Sequence, residues 1–237
     1  MDSNRSRNSP LAELNKETAL SPELSEILVG PSCGGKVALH GPGFECSACR
    51  RVYPIMRGIP PFVEDESYVS NFGFEWTKHA QTQLDRESNG CPETKFCDSL
   101  EISPEKIYEK LVLDAGCGMG RFAEVASRYG ARVVGVDLSR AVESAHKNLG
   151  DRPNVQILQA DLLQLPLRNG IFDFIHSIGV LHHTPNCEAT FRKLVPLLKP
   201  GGRIVVWLYS GYNPLTYKMS DFTVKLQGAY RVASSIP

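Results

Sequence analysis

Between Val112 and Phe122 the chain reads VLDAGCGMGRF, an apolar run followed by a carboxylate and three glycines at alternate positions. Gly116, Gly118 and Gly120 permit a tight turn and a close approach of backbone to a bound group. A helix opening directly after them points its N–H groups at the same place. Two more carboxylates follow at near-constant spacing, Asp137 23 residues after Asp114 and Asp161 24 residues after that. An acid ending a second strand accepts hydrogen bonds from both hydroxyls of a ribose. One ending a third strand is placed to accept from an adenine amino group. The chemistry these residue types support is retention of a polar, nucleoside-like cofactor.

The glycine spacing separates two such cofactors. A dinucleotide fingerprint is G-x-G-x-x-G, whose glycines clear space for a pyrophosphate. Here the pattern is D-x-G-x-G-x-G. A carboxylate at Asp114 would meet a pyrophosphate with like charge, whereas it attracts the cationic amino group of S-adenosylmethionine, directly or through water. The residues favour S-adenosylmethionine over a nicotinamide cofactor. Displacement at a sulfonium methyl asks the protein mainly to align an acceptor atom and, where needed, to remove a proton. His182 and His183 are the general-base candidates, because imidazole titrates near neutrality and both follow the fourth strand, near where the methyl points. Asp173 lies within that strand and reads as structural. Cys117 and Cys187 read as a small turn residue and a helix-start residue rather than as nucleophiles.

These residues need a scaffold, and the chain from Leu111 onward alternates apolar runs with helical stretches. KLVLDAG, ARVVGVDLS, NVQILQAD, IFDFIHSIGVL and RIVVWLY predict strands; MGRFAEVASRYG, RAVESAHKNLG and CEATFRKLVPLLKPGG predict helices ended by glycine, the last with a turn. Strands nearly continuous in Val, Ile, Leu and Phe are those of a parallel sheet covered by helices on both faces. The fold class is α/β, a doubly wound, mainly parallel Rossmann-like sheet preceded by a small β-rich module. In such a sheet the ligand sits beyond the carboxyl ends of the strands, where strand order reverses.

The rest of the chain divides by composition. Residues 1–25 are polar and read as a flexible tail with at most a short helix at LAELNKE. Residues 26–64, rich in Gly, Pro and Cys, form a hairpin module too short for a core of its own. Residues 65–110 read as a helical or irregular linker, with SPEKIYEKL opening on a Ser cap and Phe72–Trp76 a candidate lid. Residues 111–210 hold the sheet, and 211–237 a C-terminal extension with no clear hairpin. Lys plus Arg and Asp plus Glu both total 26, giving zero net charge and no general surface for nucleic acid or membrane. No run approaches the ~20 apolar residues of a membrane span, and no secretory leader is visible, so the expectation is a cytoplasmic protein. Seven cysteines then read as thiols or metal ligands rather than a disulfide framework.

Residues 111–209 resemble the class I S-adenosylmethionine-dependent methyltransferases, with VLDAGCGMG, VVGVDLS and QADLLQLP similar to their first three motifs. FDFIHSIGVLHHTPN and LKPGGRIVVWLY are similar to their fourth- and fifth-strand segments. The resemblance implies a cofactor held on Asp114, Ala115, Gly116, Cys117, Gly118, Gly120, Asp137, Leu138, Asp161, Leu162 and the backbone around Ser177 and Ile178. In that family a His near His182 and His183 also packs beside the cofactor without acting as a base. The Asn/Asp-Pro-Pro-aromatic stretch with which the family grips exocyclic amines is missing, as is a Pro-Cys nucleophile. A small-molecule or glycan-type acceptor with an oxygen, amine or activated-carbon atom is therefore expected.

The N-terminal module resembles a zinc ribbon, with Cys33, then Cys46 and Cys49 in CSAC, then YPIMRGIP. It is similar to ribbons that activate or precede methyltransferases. Gly30 stands where the first of four ligands belongs, and His40 near the HGPG tip is too distant to replace it. A metal-free module docked through Tyr53, Ile55, Ile59 and Phe62 is the expectation over a zinc site on Cys33, Cys46 and Cys49. Two other readings stay open: an RNA methyltransferase that grips RNA with the ribbon, and a non-catalytic scaffold or activator of the same fold.

Overall fold

The computed structural model describes residues 22–63, Phe96 and residues 103–208. Most of the N-terminal tail, the Phe72–Trp76 segment and the 211–237 extension lie outside the described residues. The chain runs through α1 (Pro22–Ile27), β1 (Val37–His40), β2 (Gly43–Cys46), β3 (Val52–Pro54) and β4 (Pro61–Phe62). It continues through β5 (Leu111–Ala115), α2 (Arg121–Arg128), β6 (Arg132–Asp137), α3 (Ala141–Leu149), β7 (Val155–Ala160), β8 (Phe172–Ile178), α4 (Cys187–Leu194) and β9 (Leu198–Trp207). Strands β1, β2 and β3 form a small antiparallel sheet; the other six form one sheet in the order β4-β7-β6-β5-β8-β9, with every pairing parallel.

The apolar strands sort by parity. Leu113, Ala115, Val134, Val136, Leu158, Ala160, Ile175 and Ile204 belong to one buried cluster, while Val112, Val133, Val155, Ile157 and Val205 belong to another. Side chains at alternate positions of a strand point to opposite faces, so the clusters are the two faces of the sheet. Helices α2 and α3 cover the second face through Phe122, Val125, Val142 and Leu149. The first face is not covered by helices alone: α4 shares it with α1 and the small sheet, through Leu24, Leu28, Val37, Phe44, Tyr53 and Phe62. The module with too little core of its own is thus completed by the large sheet.

Strand β4 makes the join. Pro61 and Phe62 pair in parallel with Gln159 and Ala160, and the Gln159 N–H donates to Pro60 O. Proline is tolerated there because β4 is an edge strand. The Phe62 ring lies 4.6 Å from that of Tyr53 and 6.2 Å from that of Phe44. Tyr53 and Phe62 are buried in the first-face core and Ile55 packs against it, whereas Ile59 is buried in the second-face cluster with Val142 and Leu149.

Three local expectations differ from the structure. The stretch after Ser103 makes one 3₁₀ turn, Pro104–Ile107, with no side-chain cap, because Glu109 at φ 57° turns the chain straight into β5. LKPGG belongs to β9, not to a turn: Leu198 pairs with Phe172, the register then shifts, and Arg203 pairs with Phe174. Gly150 ends α3 in right-handed conformation, so its role is space, since a Cβ there would sit 2.5 Å from His146 O.

One core across both sheets makes unfolding cooperative. Phe62→Ala is expected to cost about 3–5 kcal/mol for the whole chain and to leave a single transition in urea followed by circular dichroism and fluorescence. Two separated transitions would show the small sheet unfolding independently.

Candidate cofactor site

The carboxyl ends of β5, β6, β7 and β8 converge at the β5/β8 switch point. There the backbone of the glycine turn closes on the neighbouring strand: Gly116 and Cys117 N–H both donate to Val136 O, at 2.7 and 2.9 Å. Gly116 and Gly120 take φ of 86° and 90°, in the left-handed region that favours glycine. Space is as tight as conformation, since a Cβ on Gly116 would fall 2.3 Å from Val180 and one on Gly120 2.6 Å from Leu149. Gly120 caps α2, whose first turn faces the same crevice. Cys117 is buried, and burial pushes its thiol well above the ordinary range, so it fills space as an inert turn residue.

Asp137 ties the turn to β6. One carboxylate oxygen accepts from Gly118 N–H at 2.9 Å, and the other from the N–H and hydroxyl of Ser139 at 2.9 and 2.8 Å. Burial nevertheless raises its pKa, against those hydrogen bonds. Asp114 lies deeper, at 2% exposure, where Oδ2 accepts from Ala123 N–H at 3.0 Å and so anchors the first turn of α2. Its other oxygen stands 3.4 Å from His176 Nδ1, its cross-strand partner on β8. Burial pushes the Asp114 carboxyl up to about 7, helped by the Asp137 charge, and burial drives His176 down to about 3. Neither is readily ionised in this setting.

Asp161 folds the chain after β7 into a turn through Leu163 N–H, donated to Oδ1 at 2.8 Å, while Leu162 and Leu138 are nearly buried. Ala115 and Ser177 are fully buried, joined by Ser177 Oγ donating to Ala115 O at 2.7 Å, and Ile178 follows at the end of β8. His182 and His183 fall on a 3₁₀ turn, Leu181–His183, with rings 4.0 Å apart. Burial and the neighbouring His183 pull His182 down to about 4; burial also lowers His183. Both are neutral imidazoles at pH 7, and His182 is the weaker base. Asp173 accepts from Leu111 N–H and Lys199 Nζ, both at 2.9 Å, a structural role. Burial raises the Cys187 thiol to about 11, which suits a helix-start residue and not a nucleophile.

A cavity of about 1040 Å³ opens beside Leu138 and Asp161. Its other wall comes from the small sheet and the loop after it, with Arg51, Tyr53, Arg57 and Phe62. Arg57 and Arg140 share Glu143 there, at 2.7 and 2.9 Å. The glycine turn and the two histidines do not line this cavity. Reading the sequence missed both this wall and His176; the signal for His176 was its place in FDFIHSI, a polar residue on the alternation of Phe172 and Phe174.

Cys33, Cys46 and Cys49 are brought together, their sulfurs within 4.8 Å of one another. His40 is elsewhere, 76% exposed and 3.7 Å from Glu45. Among the described residues no fourth ligand joins the cluster, so a closed four-ligand zinc site does not fit this donor set.

Residues 113–206 match the family model of the methyltransferase domain. This segment is a class I methyltransferase domain. The ubiquinone biosynthesis O-methyltransferase of Albidiferax ferrireducens is 32% identical over 130 residues, covering 53% of this chain and 49% of that protein. The malonyl-[acyl-carrier protein] O-methyltransferase of Legionella pneumophila is 33% identical over 132 residues, covering 54% of this chain and 43% of that protein. A solved S-adenosylmethionine-dependent methyltransferase from Mesorhizobium loti is 29% identical, covering 50% of this chain and 53% of that one, with a TM-score of 0.43. The chain spans about half the length of the relatives it matches. No helix among the described residues of the domain or its flanks is long and apolar enough to cross a membrane.

The turn of the methyltransferase domain offers a test that separates conformation from space. Gly116 and Gly170 both have positive φ, but nothing lies within 4 Å of a Cβ on Gly170. Gly170→Ala is expected to cost about 1–2 kcal/mol, the left-handed penalty alone. Gly116→Ala adds the Val180 collision and is expected to cost about 3–5 kcal/mol, read as the difference in urea midpoints. Equal losses would place the demand on backbone conformation only.

Proposed function

We propose that this chain is an S-adenosylmethionine-dependent methyltransferase acting on a small-molecule or glycan-type acceptor. The observation that carries this reading is the convergence, at one switch point, of the Gly116–Gly120 turn, the buried Asp114 and the Asp137 carboxylate bonded to that turn. When bound, the cofactor supplies an electrophilic methyl group on a sulfonium. Asp137 would accept from a ribose hydroxyl at Oδ2, the oxygen bonded to Gly118 N–H, since Oδ1 already accepts twice from Ser139. Leu138, Asp161 and Leu162 would bound the adenine, and Ser177 and Ile178 would contribute backbone. Asp114 would act through the α2 terminus it anchors and through its charge.

The catalytic residue on this reading is His183, the less depressed of the two histidines and neutral at pH 7. It would take the acceptor's proton as the new bond forms. Relatives are named for oxygen, carbon and nitrogen acceptors: ubiquinone biosynthesis and tocopherol O-methyltransferases, a sterol 4-C-methyltransferase and a phosphoethanolamine N-methyltransferase. What these names share is an acceptor that is not a nucleic acid, which supports the same class here. A reducing, cytoplasmic setting for the thiols belongs to the same proposal.

Calorimetry with S-adenosylmethionine and its demethylated product tests the reading. Binding is expected in the micromolar range, and Asp137→Ala should weaken both ligands by about 10–100-fold through loss of a charged acceptor. A cation beside the turn favours ionised Asp114, so binding should release a proton below pH 7, and affinity should rise as pH increases through about 7. Folded protein that shows no heat with either ligand would reject the proposal.

A further inference from the structure

Gly30 takes a φ outside the left-handed region, so the backbone does not require glycine there. Its carbonyl still accepts from Cys33 and Gly34 N–H at 3.2 and 2.8 Å, so the turn of a ligand-bearing knuckle is intact without the ligand. What the glycine provides is room for sulfur. A Cβ on residue 30 would stand 2.7 Å from Cys33 Sγ and 3.0 Å from Cys46 Sγ.

Cys33 Sγ and Cys46 Sγ stand 3.3 Å apart beside that room, and all three sulfurs lie within 4.8 Å of one another. Thiolates around tetrahedral zinc, at bonds of about 2.3 Å, stand about 3.8 Å apart; three on a pyramid with angles of about 90° and similar bonds stand about 3.3 Å apart. The donors are thiols alone, with no imidazole or carboxylate among the described residues of the cluster. Such a set selects soft ions. Cys33 and Cys49 are exposed and give entry from solvent, while Cys46 is buried beneath them.

We propose that Cys33, Cys46 and Cys49 form a three-thiolate site for a trivalent, lone-pair-bearing ion of the arsenite class, and that Gly30 sets this preference by excluding the fourth ligand zinc requires. In the binding step each thiol condenses with one hydroxyl of arsenous acid. Three As–S bonds replace three As–O bonds, three waters leave, and no electrons are transferred. The ion's lone pair occupies the vertex toward Gly30. The site adjoins the cavity, since Pro31 and Ser32 of the same turn line its wall together with Arg51 and Val52.

The test uses the full chain, reduced with a phosphine, freed of metal and equilibrated with arsenite, with zinc, or with both before desalting. Elemental analysis should find one arsenic per chain, with zinc at least about tenfold lower when both are offered equally. Near-ultraviolet sulfur-to-arsenic absorbance should accompany it. Cys46→Ser and Cys49→Ser should each abolish stoichiometric arsenic, and Gly30→Cys should reverse the preference toward zinc. Calorimetric binding of S-adenosylmethionine by the same samples reports folding and stands apart from this proposal. Stoichiometric zinc that arsenite does not displace would overturn the inference, as would no bound arsenic in the reduced protein. Arsenic retained equally by the two serine variants would overturn it as well, by placing the ion on other cysteines.

Discussion

The molecule's two sheets are joined through backbone pairing, above all of Pro61 and Phe62 in parallel with Gln159 and Ala160, with the Leu28–Leu167 and Val29–Lys36 bridges beside it. Parallel pairing at an edge fixes both direction and register, because a one-residue slip would turn Phe62 out of the core it shares with Phe44 and Tyr53. From that anchor the preceding turn is carried onto α3, where Arg57 meets Glu143 and Gly58, at φ 79°, lies against His146. The cavity beside Leu138 and Asp161 exists because this segment stands off the sheet as its second wall. The strand also covers the outer edge of β7, which would otherwise present unpaired backbone.

At the centre of the sheet the governing term is desolvation. Asp114 and His176 face each other across β5 and β8 with almost no exposure, and burial favours the neutral form of each. The consequences for stability have opposite signs. His176, depressed from 6.5 to about 3, contributes stability that is complete above 6.5 and lost as pH falls toward 3. Asp114, raised from 3.8 to about 7, contributes stability that is complete below 3.8 and lost as pH rises through 7. Between those limits the two slopes partly cancel. A fold that leaves its central acid close to neutral keeps a charge in reserve for a cationic ligand at the α2 terminus.

The strands and the turn were legible because each rests on local chemistry: nearly continuous apolar runs, closely spaced glycines, and an acid at the end of each of the first three strands of the domain. The spacing of Asp114, Asp137 and Asp161 is the length of a strand-helix unit, so the sequence displays the repeat directly. What stayed hidden depends on register between distant segments. Nothing in FDFIHSI says that His176 stands beside Asp114 until β8 is laid on β5. PF is too short to read as a strand, and LKPGG carries the residues that usually end one, yet the register shift at Phe172 and Phe174 absorbs them. Which face the small sheet covers follows from tertiary packing alone.

The small sheet shows how two knuckle turns are held around three thiols, the ligand set among the described residues. Both turns are kept, with Gly34 at φ 69° and Arg50 at φ 61°. For a non-glycine residue the left-handed conformation costs about 1–2 kcal/mol, so Arg50 must be held there. Its N–H donates to Cys46 O at 2.9 Å, and its guanidinium meets Glu45 at 2.8 Å. Cys46 is in turn fixed by burial with Val37 and Phe44 in the core shared with the large sheet. Buried area across the joint thus ties the small sheet, and the three-thiol cluster it carries, to the large sheet.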